Sequence, residues 1–440
     1  MQSAFYELAD FVGGLLRKDE VFTCNFEGEE SDFVRFNHGR FRQPGTVIQR
    51  KLTLRLIEGS RHAKAQINLS GVMEEDRSRL GALLGELRAT LPHLPDDPHL
   101  LYSAEVNNSE QHGEDLLGDS RDICGQIVEA AADVDLIGIY AAGPVFAGFA
   151  NSFGQRNWFS SHSFNFDWSL YHAADKAVKA NYAGFAWDAD AFDARLVAAK
   201  EQLAVLARPA RTVDPGSYRV YLTPTALHEV IDLLGWGGFG MEAHQTKTTP
   251  FLHLVEGKQS LDSRISLSEN TADGVAPNFE AAGFIKPERV SLVDRGSWNG
   301  CLVSPRSAKE YDTEPNGANA WEAPLSMDMG GGSLAPEGVL EELGTGVWVS
   351  NLWYLNYSDR AAGRMTGMTR FATFWVEGGK IAAPLNVMRF DESIYRMLGE
   401  NLVDLTAQRD LVLDNGTYGK RSTASTRLPG ALIDGFAFTL

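Results

Sequence analysis

The chain has 440 residues, 44% of them hydrophobic and 22% charged, which is enough for two or three domains and a sizeable core. Its formal net charge of −18 argues against a nucleic-acid or anionic-membrane surface, which needs clustered Lys and Arg. Three widely spaced cysteines (Cys24, Cys124, Cys301) predict no disulfide framework. The acidic Glu7 and Asp10 stand where a signal peptide would be basic, and no apolar run approaches the roughly 18 residues of a membrane span, so a reducing cytoplasm is the expected setting.

In chain order, residues 4–17 read as an amphipathic helix. Residues 21–71 alternate polar and apolar side chains across turns; Leu52, Leu54 and Leu56 face one way and Lys51, Thr53 and Arg55 the other, as in a half-buried antiparallel strand. A helical period returns at 73–90, a Pro-rich connector follows at 92–100, and 114–132 reads as helix. Residues 136–172 read as strands, with a hairpin bend at Gly154, and 189–207 as an Ala-rich helix. The stretch RPARTVDPGSY (208–218) has two prolines, a glycine and no periodicity, and places a domain boundary there. The expected fold is α+β: an N-terminal α/β domain over 1–210, then a β-rich domain over 216–440 built on curved antiparallel sheet. In the second half, YRVYLT reads as a strand, Gly378-Gly379 as a hairpin turn, GVWVSNLWYLNY and GALIDGFAFTL as strands, and a region near 391–406 as helix.

The helix after YRVYLT carries the most chemistry. Thr223 suits the N-cap and Pro224 the first turn, while Leu227, Val230, Ile231 and Leu234 recur at i, i+3, i+4 and i+7 until Gly235 stops the pattern. On it lies His228-Glu229. A zincin helix needs HExxH, because residues four apart share a face. Here the fourth residue on is Asp232 and the fifth is Leu233, neither a histidine. A metal set drawn from His228, Asp232, His244 and His253 can be written, but no regular spacing enforces it; a His and an Asp on the edge of a surface helix is the more common outcome. GWGGFG (235–240) has the spacing of a dinucleotide fingerprint but follows a helix, which rules that reading out. MGGGS (329–333) reads as a turn rather than an anion nest. Trp348, Trp353, Tyr354 and Tyr357 could line a groove, although such spacing is more often core packing.

Taken together, several stretches resemble the TldD/PmbA family, peptidases formerly called modulators of DNA gyrase. These are VRFNHGRFRQ with LTLRLIEG, ANSFGQ, GSYRVYLTPTALHEVIDLL, TTPFLHLVEGKQSLDSRISLSEN and TGMTRFATFWVEGGKIAAPLNVMRFDESIYRML, in this order along most of the chain. In that family the TldD type resembles a zinc peptidase, with HExxxH on this helix and a cysteine ligand in a CGK-like turn near the C-terminus; the TldE (PmbA) type lacks the ligands and pairs with TldD. If His228-Glu229 opens the motif, Leu233 stands where the second histidine would be. In NGTYGKRSTAS, Tyr418 stands where the cysteine would be. Leucine is no ligand and a phenol is a poor substitute for a thiolate.

The resemblance therefore implies a TldE-like subunit with no metal or other cofactor of its own, zinc being held by a TldD-type partner, and a peptide as substrate. A homodimer is the other assembly left open. Thr366, Thr369 and Arg370, polar and beside a turn-rich edge, are candidates for a peptide cleft, against a structural role for each. Two rival readings stand: a metallopeptidase in its own right with an unorthodox site, and a non-proteolytic regulatory or binding protein.

Overall fold

The structure, a computed structural model, describes residues 1–173 and 176–439. Its first half is one seven-stranded sheet with four helices. The strands are β1 (Glu20–Asn37), β2 (Arg40–Glu58), β3 (Arg61–Asn68), β4 (Ser109–His112), β5 (Asp135–Asn151), β6 (Arg156–Ala173) and β7 (Lys176–Gly184). The order is β3-β2-β1-β5-β6-β4, with β7 also on β6, and all pairs are antiparallel except β4–β6. The alternation of Leu52, Leu54 and Leu56 comes out as expected: all three are buried on β2.

Each end of these long strands has its own helical cover. Helices α1 (Gln2–Gly14) and α2 (Met73–Thr90) bury Phe5, Leu8, Val12, Leu80 and Leu84 against Phe22, Phe26 and the β2 leucines. Helices α3 (Ser120–Ala130) and α4 (Ala189–Leu206) cover the other end, around Phe36, Tyr140, Phe164, Phe166 and Trp168. The helix expected from residue 114 begins only at 120, because Gly118 takes a positive φ of 79° and Asp119 caps the helix by accepting hydrogen bonds from the Arg121 and Asp122 amides.

The second half is an eleven-stranded sheet: β8 (Gly216–Leu222), β9 (Leu267–Asn270), β10 (Arg289–Asp294), β11 (Ser297–Trp298), β12 (Ser326–Met329), β13 (Gly346–Asp359), β14 (Arg364–Glu377), β15 (Lys380–Pro384), β16 (Arg389–Ser393), β17 (Leu402–Leu413) and β18 (Ser425–Phe438). β18 bonds to both β16 and β8, so the path β18-β16-β14-β13-β8 returns to β18 and the sheet closes on itself. Most pairs are antiparallel, with β8–β13 and β12–β18 parallel. Gly378 and Gly379, at φ of 57° and 76°, make the β14–β15 turn.

The helix expected near 391–406 is cut down to a short piece. β16 runs to Ser393, a single five-residue turn covers Arg396–Glu400, and β17 starts at Leu402. Gly399, at φ −121° and ψ −111°, leaves the helical region and ends the turn.

The halves meet through side chains from both. Ala372 and Phe374 of β14 join the core under α4, and Phe279 packs on Phe149 and Phe159. The segment between α4 and β8 is tied down as well: the Arg211 amide donates to the Pro384 carbonyl at 2.7 Å and the Asn386 amide to the Arg211 carbonyl at 3.1 Å.

Candidate functional site

Helix α5 (Pro224–Gly235) positions the site. Thr223 caps it, accepting from the Ala226 amide at 3.2 Å and donating to the Ser350 carbonyl at 2.7 Å, which ties the helix start to β13. The apolar face, Ala226, Leu227, Val230, Ile231, Leu233 and Leu234, is buried in the core of the second half. At the other end the Tyr357 hydroxyl donates to the Leu233 carbonyl at 2.8 Å. The chain then turns sharply. A Cβ on Gly238 would lie 2.1 Å from the Leu234 carbonyl oxygen, so GWGGFG is built for this close return rather than for a nucleotide.

The polar face of α5 looks into a cavity of about 920 Å³ between the halves. Thr225, His228, Glu229 and Asp232 line it from the helix, Asp167, Lys179 and Asn181 from the first sheet, and Asp414 and Asn415 from the connection after β17. Burial lowers the His228 pKa, although Asp232 and Asp414 pull the other way. Glu229 is pushed above the usual carboxylate range, first by burial and then by the charge of Asp232, with Lys179 opposing. Lys179 itself pairs with Asp167 at 3.1 Å. Among the described residues His228 Nδ1 has no hydrogen-bond partner, and neither has Oδ1 of Asn351, a cavity-lining side chain only 4% exposed.

The residues singled out from sequence do not all converge. His228 and Asp232 share the cavity. His244 is elsewhere: one ring nitrogen is bonded to the Gly238 carbonyl at 3.0 Å and the ring lies 4.2 Å from that of Trp298. His253 stacks on Tyr395 in a separate hollow. Thr369 is buried, accepting from the Met388 amide at 3.1 Å, and the Thr366 hydroxyl donates to the Phe390 carbonyl at 2.9 Å; both serve the β14 neighbourhood and neither lines the cavity. Arg370 touches the site only indirectly, its guanidinium 4.5 Å from the ring of Trp353, which does line it. Asn351, Asp414, Lys179, Trp236 and Trp321 were not among the sequence candidates; Trp236 directly follows α5, and the other four come from distant segments with no shared motif.

The donor set does not fit a zinc ion. Leu233 is 8% exposed and sits in the apolar core. Tyr418 is wholly exposed and does not line the cavity. Its loop is held just after it: Lys51 Nζ donates to the Gly419 carbonyl, Lys420 pairs with Glu27, and Arg421 is buried in the first sheet. Among the described residues no group of three His, Cys, Asp or Glu side chains is placed to hold a metal.

A family pattern described as the PmbA/TldA metallopeptidase C-terminal domain matches residues 215–440, just over half of the chain. Solved structures match nearly all of it. TldE from Thermococcus kodakarensis has a TM-score of 0.80 at 14% identity, covering 99% of this chain and 100% of that one. A candidate modulator of a DNA gyrase from Thermotoga maritima gives 0.76 at 14%, with the same coverage. Another, from Bacteroides thetaiotaomicron, gives 0.75 at 16%, covering 99% and 98%. At these identities the likeness is one of fold. No curated protein sequence matches the chain. Among the described residues no helix is long and apolar enough to cross a membrane. With the α+β fold, the α5 cavity and the match over its second half, the chain belongs to the TldD/PmbA family.

Proposed function

We propose that this chain is a TldE-like subunit that carries no catalytic zinc, works in the cytoplasm and pairs with a TldD-type zinc peptidase to enclose a chamber in which unstructured peptides or peptide precursors are cut. In this reading residues 1–210 form an α/β domain and 216–440 the metallopeptidase-like domain, whose cavity supplies wall rather than catalyst. The observation that carries it is Leu233: the position where the family's second histidine would stand is a carbon side chain packed into the core, and Tyr418, where the thiolate would stand, is bare to solvent. With two of the family's three ligand positions occupied by Leu and Tyr, the histidine–cysteine set expected of the TldD type is not available to His228.

The test is co-purification with a TldD-type chain from the same cell, followed by peptide cleavage by each chain alone and by the mixture. Cleavage is expected from the pair, and this chain alone should be inert. Activity from this chain by itself sinks the reading in favour of an unorthodox active site. A homodimer that refuses every TldD-type partner sinks the pairing.

A further inference from the structure

We propose that the cavity beneath α5 seats the cationic side chain, Lys or Arg, of an extended peptide. This deepens the peptide-handling reading above and rests on it.

Charge is the first ground. Glu229 and Asp232 on α5 and Asp414 across from them are close enough for their charges to act on His228 or on one another. None of the three is in an ion pair among the described residues. The two cavity-lining bases are already engaged: Lys179 with Asp167, and Arg360 with the Trp236 carbonyl at 2.7 Å and the Tyr357 ring at 5.1 Å. A cation entering here meets carboxylates that no other cation holds among the described residues (one Asp414 oxygen accepts only from the Gly416 amide, at 2.8 Å), in a recess where water screens less than at an open surface.

The second ground is independent of charge. Asn351 is almost wholly buried in the cavity wall, and its Oδ1 has no donor among the described residues. A buried acceptor without a partner is costly to the folded chain, and the groups that relieve it are N–H donors. An ammonium or guanidinium brings several. Neutral His228, whose Nδ1 is also unpartnered, offers a second acceptor in the tautomer that carries its proton on Nε2.

The rim supplies the third. Trp236 and Trp321, at 68% and 86% exposure, stand at the mouth with Trp353. Indole faces attract cations and cover the aliphatic stems of Lys and Arg. An acidic or purely aliphatic side chain would use the tryptophans but would leave the carboxylates and Asn351 unmet.

The experiment is a fluorescence titration of the full-length, EDTA-dialysed chain with acetylated and amidated hexapeptides that differ at one central position: Lys, Arg, norleucine or Glu. Lys and Arg peptides are expected to bind about tenfold or more tightly than the norleucine isostere, with Glu weakest. In Asp232→Asn, on the solvent-facing side of α5, that advantage is expected to shrink to about threefold or less, and Asn351→Leu should act in the same direction. Equal binding of the Lys and norleucine peptides, or no measurable binding of any, overturns the inference. So does an uncapped norleucine peptide that matches the capped Lys peptide, because the occupant is then an α-ammonium. Zinc content tests the metal-free reading separately, so the failure of one is distinguishable from the failure of the other.

Discussion

Two polar clusters lie where the halves of the molecule meet, and they are built on opposite terms. Around Arg421 the polar groups are matched. Its guanidinium donates to the Gly143 carbonyl at 2.9 Å and to the carbonyl and hydroxyl of Ser163, both at 2.8 Å, and its amide donates to Glu29 at 3.2 Å. Burial pulls the Arg421 pKa down to about 10, with Glu29 resisting. Under α5 the groups line an open cavity and are unmatched: His228 Nδ1 and Asn351 Oδ1 lack partners among the described residues, and Glu229 and Asp232 repel each other. A matched buried cluster holds two pieces of structure together. An unmatched one, open to a cavity, is arranged for something that arrives.

The difference can be broken from either side. The largest effect is expected at the matched cluster: Arg421→Met strands Ser163 and the Gly143 carbonyl and removes the positive charge near Glu29, and should cost about 3–5 kcal/mol, read as a large drop in the urea midpoint. A midpoint close to that of the parent chain would mean the cluster does not hold the halves together. Next comes Leu233→His, which returns the family's ligand type to the helix but places it in the apolar core. It should cost about 2–4 kcal/mol and bind no stoichiometric zinc, because Tyr418 remains outside the cavity. A folded variant holding one zinc per chain would show that only a single ligand was missing.

A third, smaller effect concerns pH. Burial pushes the Glu280 carboxyl up to about 7, against the Ala282 and Phe284 amides that bond it, in the segment docked on the first sheet. The folded value lies above the ordinary 4.5, so this contribution to stability is complete below about pH 4.5 and is lost as the pH rises through about 7. Glu280→Gln should flatten that part of the stability profile; an unchanged slope contradicts the burial argument. The smallest effect belongs to the cavity: Asp232→Asn should change stability by no more than about 0.5 kcal/mol, because the carboxylate holds nothing in place. A large loss there would make the cavity wall a structural cluster like that of Arg421.

The parts of this picture that were legible in the sequence are the local ones. Thr223, Pro224 and the spacing of Leu227, Val230, Ile231 and Leu234 specify α5, and alternation in Leu52, Leu54 and Leu56 specifies β2, because one element's periodicity decides each. The helix near 391–406 is far shorter than its spacing suggests, for the same reason in reverse. Leu398, Leu402 and Leu405 recur at helical spacing and all are buried, but Gly399 breaks the turn and the β17 residues reach the core from a strand with irregular register against β18. The cavity itself was half legible. His228 and Asp232 are neighbours on one helix, whereas Asn351, Asp414, Lys179 and Trp321 meet them only through tertiary folding, and no spacing announces that. His244 and His253 follow soon after the helix in sequence yet are carried away by the turn at Gly238.

The most direct test of the central claim is the zinc stoichiometry of the purified chain, measured by elemental analysis before and after His228→Ala. Zinc far below one equivalent per chain, unchanged by the substitution, is the predicted result. One zinc per chain that disappears with His228 would contradict it, and would make α5 the seat of a metal site rather than the wall of a cavity.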